Sequence, residues 1–199
     1  MSDREINAIR LGMVELLKSL FALEPEKELI ATWKEAVSAM AREQINPAMD
    51  RAADELNELL TSMEPESIAE ERYILFTNPF SSNTVHTTLS YYRDGHDLGQ
   101  SLVELRRFLL DAGIQKIGEF DESEDSLVFL LDTLATLIRE EENHPEDARK
   151  FEGELLSRFM EPLSAHFVSA LRENGKARFY QACAELLACY VDLEKELTV

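Results

Sequence analysis

Long hydrophobic runs, cysteines and glycines are all scarce in this sequence of 199 residues. The longest unbroken apolar run has six residues, Leu186 to Val191, whereas a helix needs about 18 or more apolar residues to cross a bilayer. The two cysteines, Cys183 and Cys189, form no Cys-x-x-Cys pair, which argues against a zinc or dithiol motif. The seven glycines include neither a Gly-x-Gly-x-x-Gly fingerprint nor a phosphate-binding loop. We therefore expect no membrane span and no cofactor.

Basic residues are also scarce, because 39 acids face 20 lysines and arginines and the net charge is −19. The excess is concentrated in residues 119–147, where eleven acids accompany one base, Arg139. Such a field repels nucleic acid and anionic lipid, whereas it attracts a basic partner in a salt-sensitive encounter. The alternative is that these acids only form a solvated surface.

Apolar residues recur at spacings of three and four along most of the chain, which is the pattern of amphipathic helices. The N-terminus, MSDREINAIR, lacks the cationic head and apolar core of a secretion signal, which predicts a cytoplasmic protein. Its apolar stripe runs from Ile6 through Ile9 to Leu20. Helix starts are predicted at a Ser2–Glu5 capping box, at Asn46 before Pro47, at a Ser67–Glu70 box, at Asp97 and at Pro145, and Gly113 is predicted to stop a helix. The sequence therefore predicts an all-α, single-domain bundle of roughly eight to ten helices over residues 1–199.

Two segments depart from this regular pattern. Residues 77–96, TNPFSSNTVHTTLSYYRDGH, lose the helical periodicity, and a connection this long is often a binding loop. A disordered surface loop is the alternative. Residues 119–134, EFDESEDSLVFLLDTL, place five acids directly before a helix that is apolar nearly all round, which predicts a central, buried helix. Capping needs only one or two acids, so we assign the surplus to a cationic partner.

The strongest metal candidate is the sequence EENH at residues 141–144, because di-iron bundles use Glu-x-x-His motifs. It occurs once, and Pro145 biases the preceding histidine away from helical geometry, so the motif is incomplete. A metal-dependent carboxylate enzyme using Glu141, Glu142 and His144 is kept as an alternative, as is a structural helical interaction subunit. His166 lies among apolar residues and is predicted to be a core histidine rather than a catalyst. The leading expectation is a protein without enzymatic activity.

Three further segments follow one another in order along the chain. Residues 73–76, YILF, precede Pro79, residues 98–109 read LGQSLVELRRFL, and residues 122–126 read ESEDS before the apolar helix. Over roughly residues 67–138 the chain resembles the TorD/DmsD/NarJ family of redox-enzyme maturation chaperones. The three segments are similar to its Tyr-x-x-Leu-Phe loop entry, to the helix after its loop and to its Glu-Pro-x-Asp-His signature. Ser123 and Ser126 stand where that signature has proline and histidine.

The resemblance implies an all-helical cytoplasmic chaperone that binds the N-terminal, twin-arginine signal segment of a molybdenum-containing oxidoreductase precursor. It would assist cofactor loading and assembly of that client before export, as a monomer or homodimer that binds no nucleic acid and does not insert into a membrane. Carboxylates bind guanidinium groups bidentately, and a groove between helices buries an apolar stretch. Glu122, Glu124 and Asp125 are predicted to face the peptide arginines, whereas core packing is the alternative for Leu75 and Phe76. The full predicted peptide site is Leu75, Phe76, Phe80, Tyr91, Tyr92, Gly99, Glu122, Glu124, Asp125 and Ser126.

Overall fold

The structure is a computed structural model that describes residues 2–116 and 122–198. In these ranges it contains ten α-helices, two π-helical turns and no β-strand. The helices are α1 (Asp3–Ala22), α2 (Lys27–Met40), α3 (Pro47–Ser62), α4 (Pro65–Arg72), α5 (Leu89–Asp94), α6 (Gln100–Asp111), α7 (Leu127–Glu140), α8 (Pro145–Leu155), α9 (Glu161–Arg172) and α10 (Phe179–Leu197). The π turns, Tyr73–Thr77 and Leu156–Met160, continue α4 and α8. The predicted all-α class is confirmed, and the assignment of residues 1–199 to one domain stays a prediction.

Helix α7 lies at the centre of the bundle. All five residues of its first segment, 127–131, are buried, as its all-round apolarity predicts. Helix α1 packs along α7, and α10 packs between α3 and α9. Cys183 is buried in this core and Cys189 is partly buried, and both are unpaired thiols. Across the described ranges, no helix combines the length and the apolarity that a membrane crossing requires.

The buried face of α1 differs from the predicted apolar stripe. Ile9 is 55% exposed, whereas Val14 and Leu17 are fully buried. Arg10 shares their face, because residues four and seven positions apart lie on one side of a helix, and it is buried too. Arginine is buried only when it is paired, and Arg10 finds carboxylates on α8 and α10. A hydrophobicity pattern assigns no charged residue to the core, so the predicted stripe was displaced towards Ile9.

Caps formed by neighbouring residues agree with the sequence prediction. The Ser2 hydroxyl accepts the Glu5 backbone N–H, and the Glu5 carboxylate accepts the Ser2 N–H at 2.7 Å, so the capping box is complete. The Asn46 side chain accepts the N–H groups of residues 48 and 49, with Pro47 at the first helical position. Gly113 has a φ of 70° and follows the end of α6, where a left-handed glycine stops a helix without strain.

Two predicted caps are wrong. Helix α4 begins at Pro65 rather than after Ser67, so no Ser67–Glu70 box forms. Helix α6 begins at Gln100, and its N-terminus is capped by Asp94, whose Oδ2 accepts the Ser101 N–H at 2.8 Å. Asp97, the predicted cap, therefore does not cap this helix. Helix α4 starts earlier because a proline is favoured at the first position of a helix. Helix α6 starts later because the turn before it brings Asp94, rather than Asp97, to its N-terminus.

Residues 77–96 contain a helix where the sequence predicts an irregular loop. They contain α5, and just before it Thr88 forms an isolated antiparallel bridge with Ser126. The bridge consists of the Leu127 N–H donating to the Thr87 carbonyl at 2.8 Å and the Leu89 N–H donating to the Asp125 carbonyl at 3.0 Å. The loop is thereby fastened to the start of α7.

Candidate functional site

Asp125 lies where the loop, α5 and the start of α7 meet, and it is fully buried. Its Oδ2 accepts the Ser90 N–H at 2.7 Å, and its Oδ1 accepts the Ser123 hydroxyl. The first N–H groups of a helix have no partner inside that helix, so this carboxylate caps α5. Asp125 therefore does not face the arginines of a peptide as predicted, because the α5 N-terminus encloses it.

Ser126 caps α7 and orients Glu122. Its hydroxyl accepts the Phe129 N–H at 3.3 Å and donates to Glu122 Oε2 at 2.8 Å. Ser126 is buried, whereas Glu122 is exposed. The serine that stands in place of the signature histidine thus connects the helix cap to an accessible carboxylate.

Glu124 already has an arginine partner within the protein. Two hydrogen bonds, of 3.1 and 2.9 Å, join its carboxylate to the Arg106 guanidinium, and this contact holds the pKa of Glu124 below its ordinary value. A peptide arginine would have to displace Arg106. Glu119 and Asp121, two further members of the predicted acidic surplus, lie outside the described residues.

A cavity of 340 Å³ opens beside these residues, and we call it the acidic cavity. The π turn after α4, the loop, the segment before α6 and the start of α7 all contribute to it. Its apolar wall is formed by Phe21, Phe76, Val85, Leu127 and Val128, and its polar wall by Arg72, Thr77, Thr84, His86, Thr87, Thr88, Asp97, Glu122 and Ser123. It therefore contains residues of the first and third segments that carry the sequence resemblance, and Asp97, which directly precedes the second.

The charge balance of the acidic cavity favours a cationic ligand. The Arg72 guanidinium donates to the carbonyls of Phe21 and Ala22 and to Glu24, so its charge is directed at the carboxyl end of α1, where cations are stabilised. Asp97 accepts the Thr88 hydroxyl, its Oδ2 lies 3.8 Å from His86 Nδ1, and its side chain is 51% exposed. Within the described ranges, neither Asp97 nor Glu122 forms a salt bridge with an arginine or lysine.

Leu98 follows Asp97 in a strained conformation. Its φ is 60°, in the left-handed region that bulky residues rarely adopt, and 69% of the residue is exposed. The next residue, Gly99, is required by close packing, because a Cβ there would lie 2.3 Å from Asp94 Oδ2. Strain of this kind is found at binding sites more often than elsewhere. Gly99 thus fixes the turn that follows Asp97, and its predicted place in a peptide site stays a prediction.

A second cavity, of 300 Å³, adjoins the first, and we call it the tyrosine cavity. Tyr91 stacks on His86 with 3.4 Å between ring centroids, and the Tyr92 hydroxyl donates to the His86 carbonyl at 2.7 Å. Tyr92 also stacks on His166. His166 is exposed, so its predicted place in the core is wrong. Residues 84–86 line both cavities and form the wall between them.

The remaining predicted residues separate into core and surface. Leu75 is fully buried, and its carbonyl accepts the Val85 N–H at 2.8 Å, so it anchors the loop from the core. Phe76 packs against the core and also lines the acidic cavity. Phe80 is 95% exposed at the loop tip and lines neither cavity.

The metal motif takes a different geometry from a di-iron site. His144 has φ −138° and ψ 66° before Pro145, so it lies outside α7, which ends directly before Glu141. Glu141 is bound by Arg10 and Arg149 instead. Within residues 2–116 and 122–198, no three His, Cys, Asp or Glu side chains are grouped to hold a metal ion.

The cavities lie in the part of the chain that a known family covers. The family model described as nitrate reductase delta subunit matches residues 42–171, which is more than half of the chain. The chain belongs to the nitrate reductase delta subunit family. A candidate redox enzyme maturation protein from Archaeoglobus fulgidus has a similar fold, with a TM-score of 0.58 and 17% identity over 92% of this chain and 93% of that one.

The nitrate reductase delta subunit family is the NarJ/TorD family of redox-enzyme maturation chaperones, whose members are not catalysts. The matched range contains every residue of both cavities except Phe21, which comes from α1, and Gly175 and its two predecessors, which follow α9. Sequence reasoning missed Arg72, His86 and Asp97 as cavity residues. The signal for Asp97 was its position directly before the Leu98–Gly99 segment that carries the family likeness.

Proposed function

We propose that this chaperone acts in the cytoplasm and binds the N-terminal segment of a molybdenum-containing oxidoreductase subunit, of the twin-arginine signal type. It would hold that precursor while the cofactor is inserted and the enzyme is assembled, before export. The observation that carries the proposal is the acidic cavity, which combines two accessible carboxylates with an apolar wall and is lined by residues of the first and third family-like segments.

Each half of the site suits one half of such a signal. Asp97 and Glu122 would bind the arginine pair through charge-assisted hydrogen bonds, which are the strong class of hydrogen bond. The apolar stretch that follows would cross the loop wall at residues 84–86 and contact Tyr91 and Tyr92 in the tyrosine cavity. The net charge of −19 favours encounter with a basic segment. In this proposal Asp125 shapes the site, while Asp97 and Glu122 contact the ligand.

Calorimetry with a synthetic peptide tests the proposal. The peptide has an arginine pair followed by an apolar stretch, and a matched peptide carries glutamines in place of the arginines. We expect Asp97→Asn and Glu122→Gln each to weaken binding of the arginine peptide by about 0.2–1 kcal/mol, because each removes an ion pair at an exposed carboxylate. Asp111→Asn, an exposed carboxylate at the end of α6, serves as the control and should bind normally.

Equal affinity for the arginine and glutamine peptides would contradict an arginine subsite. The client itself is tested by mass spectrometry of proteins that co-purify from cells grown anaerobically. One unprocessed molybdoenzyme precursor should dominate, and its recovery should fall with the Glu122→Gln variant. Recovery of a mature, processed enzyme alone would contradict a role before export.

A further inference from the structure

A buried ionic cluster lies on the side of the bundle formed by α1, the end of α7, α8 and α10. Arg10 of α1 is its centre, and its members are all at least nine-tenths buried: the side chains of Arg10, Glu141, Glu152 and Glu194 are 8%, 4%, 0% and 0% exposed. We call these four residues the Arg10 cluster. The proposed peptide-binding function uses none of them.

The N–H groups of Arg10 are fully used. Its Nε donates to Glu194, one terminal nitrogen donates to Asn7 and Glu141, and the other donates to Glu152 and Glu194. Arg149 adds a second cation, donating from Nε to Glu141 Oε2 at 3.0 Å. The Tyr190 hydroxyl donates to the Arg10 carbonyl at 3.1 Å. Each carboxylate therefore competes for a limited set of donors.

The charges of this cluster do not balance unless one carboxylate is neutral. Two guanidinium groups face three carboxylates, and an unpaired buried charge is costly enough that the group takes up a proton instead. Glu141 receives two arginines, and Glu194 receives hydrogen bonds from both Nε and a terminal nitrogen of Arg10. Among the residues that the structure describes, Glu152 receives one donor, and its buried Oε1 has no hydrogen-bond partner. Glu152 is therefore the group that lacks compensation.

We propose that Glu152 binds one proton in the folded protein and that this proton latches α8 to α1 and α10. The neutral acid would donate to Glu141, whose carboxylate shares the Arg10 guanidinium with that of Glu152. It would thereby satisfy the orphan oxygen and bring the cluster to charge balance. Loss of the proton would leave a net negative charge between the three helices and loosen α8. The inference goes beyond the proposed chaperone function and does not depend on it.

A surface cavity reaches the edge of the cluster at Glu141. A cavity of 520 Å³ at the surface shares Asn7, Glu141 and Arg149 with the surroundings of the cluster. The charged and titratable groups around Glu152 are Arg10 of α1, Glu141 after α7, and Tyr190 and Glu194 of α10, while Asp3, Arg4, Glu142 and Arg149 line the cavity. Burial raises the pKa of Glu152 to about 8, and the charge of Glu141 contributes to the rise.

The direction of the pH effect follows from linkage. A group whose pKa rises on folding, here from 4.5 to about 8, stabilises the fold fully below the lower value and loses that contribution as pH rises through the upper value. Between these values the equilibrium constant for unfolding should increase about tenfold per pH unit because of this group. Glu152→Gln keeps a neutral donor of the same shape, so it should remove this dependence.

Urea unfolding at intervals between pH 5 and 9 tests the latch. The wild-type midpoint should fall as pH rises, while Glu152→Gln should lack this component and exceed the wild type above pH 8. Glu146→Gln, an exposed residue of the same helix, should behave like the wild type. Parallel profiles for wild type and Glu152→Gln would overturn the proposal.

Carbon-13 NMR of wild-type protein labelled at glutamate carboxyls keeps the test decisive if the variant does not fold. One carboxyl should titrate near pH 8, while amide exchange in α8 should accelerate above that pH beyond its intrinsic base dependence. Titration of every glutamate below pH 6 would overturn the proposal.

Discussion

The Asp125 carboxylate accepts the backbone N–H of Ser90 across 2.7 Å, although 35 residues separate them in sequence. This contact fixes the N-terminus of α5 on the start of α7. Loop residues 84–88 run between α5 and the π turn and line the acidic cavity. The shape of the cavity therefore depends on a residue that does not face its interior.

Asp125→Ala should lower the free energy of unfolding by about 1–3 kcal/mol, because it leaves a buried N–H group without an acceptor. Asp125→Asn keeps one acceptor and should cost less. Urea denaturation measures the loss, and hydrogen exchange should show faster exchange in residues 85–94 than elsewhere. Asp111→Ala, which changes an exposed carboxylate, is the control. A stability loss without faster exchange in residues 85–94 would contradict the positioning role.

The capping residues show which features of this fold can be read from the sequence. Ser2 and Asn46 cap helices through N–H groups two or three residues ahead, so their motifs are local and both predictions are confirmed. Helix α5 and helix α10 are capped by carboxylates from distant segments, and a single sequence carries no signal for such pairs. The burial of Asp125 and the exposure of Glu122 could not be predicted from the sequence for the same reason, because both are set by tertiary packing.

Charged residues on the buried faces of α1 and α10 are a signal in the sequence for a buried ion pair, although hydrophobic periodicity does not detect it. Arg10 lies four residues before Val14, and Glu194 lies four residues after Tyr190, both on buried faces. Opposite charges on the core faces of two helices are expected to pair, since buried charges are almost always compensated. That reasoning predicts a contact between α1 and α10 but does not reveal the third carboxylate.

Glu71 holds the N-terminus of α10 and should be among the most sensitive positions of the fold. Its carboxylate accepts the backbone N–H groups of Arg178, Phe179 and Tyr180 at 2.8–3.1 Å. Glu71→Ala should therefore destabilise the protein by about 1–3 kcal/mol. The neighbouring exposed Glu70 provides a matched alanine control, expected to stay within about 0.5 kcal/mol of the wild type. Similar losses at both positions in chemical denaturation would contradict this role for Glu71.

Two glycines should respond to alanine in opposite directions. In Gly99→Ala the new Cβ would meet Asp94 Oδ2 at 2.3 Å, which should displace the α6 cap at a cost of about 1 kcal/mol. Gly12 lies in the exposed middle of α1 with nothing within 4 Å of a new Cβ, so Gly12→Ala should stabilise by about 0.5–1 kcal/mol. Thermal unfolding measures both effects. Stabilisation by Gly99→Ala would contradict the prediction, because Asp94 would then move aside and still cap α6.

Salt should weaken binding of the arginine peptide, because both proposed contacts are ion pairs near the surface. Exposed pairs contribute about 0.2–1 kcal/mol each and are screened by salt, so losing two of them predicts about a two- to thirtyfold weakening. Calorimetry at 50 mM and 500 mM salt measures the change. Over roughly this range the electrostatic screening length falls from about 14 to about 4 Å. The glutamine peptide should keep its affinity, since its contacts with Phe76, Tyr91 and Tyr92 are apolar. Equal salt dependence for the two peptides would contradict ion pairs between the peptide arginines and Asp97 and Glu122.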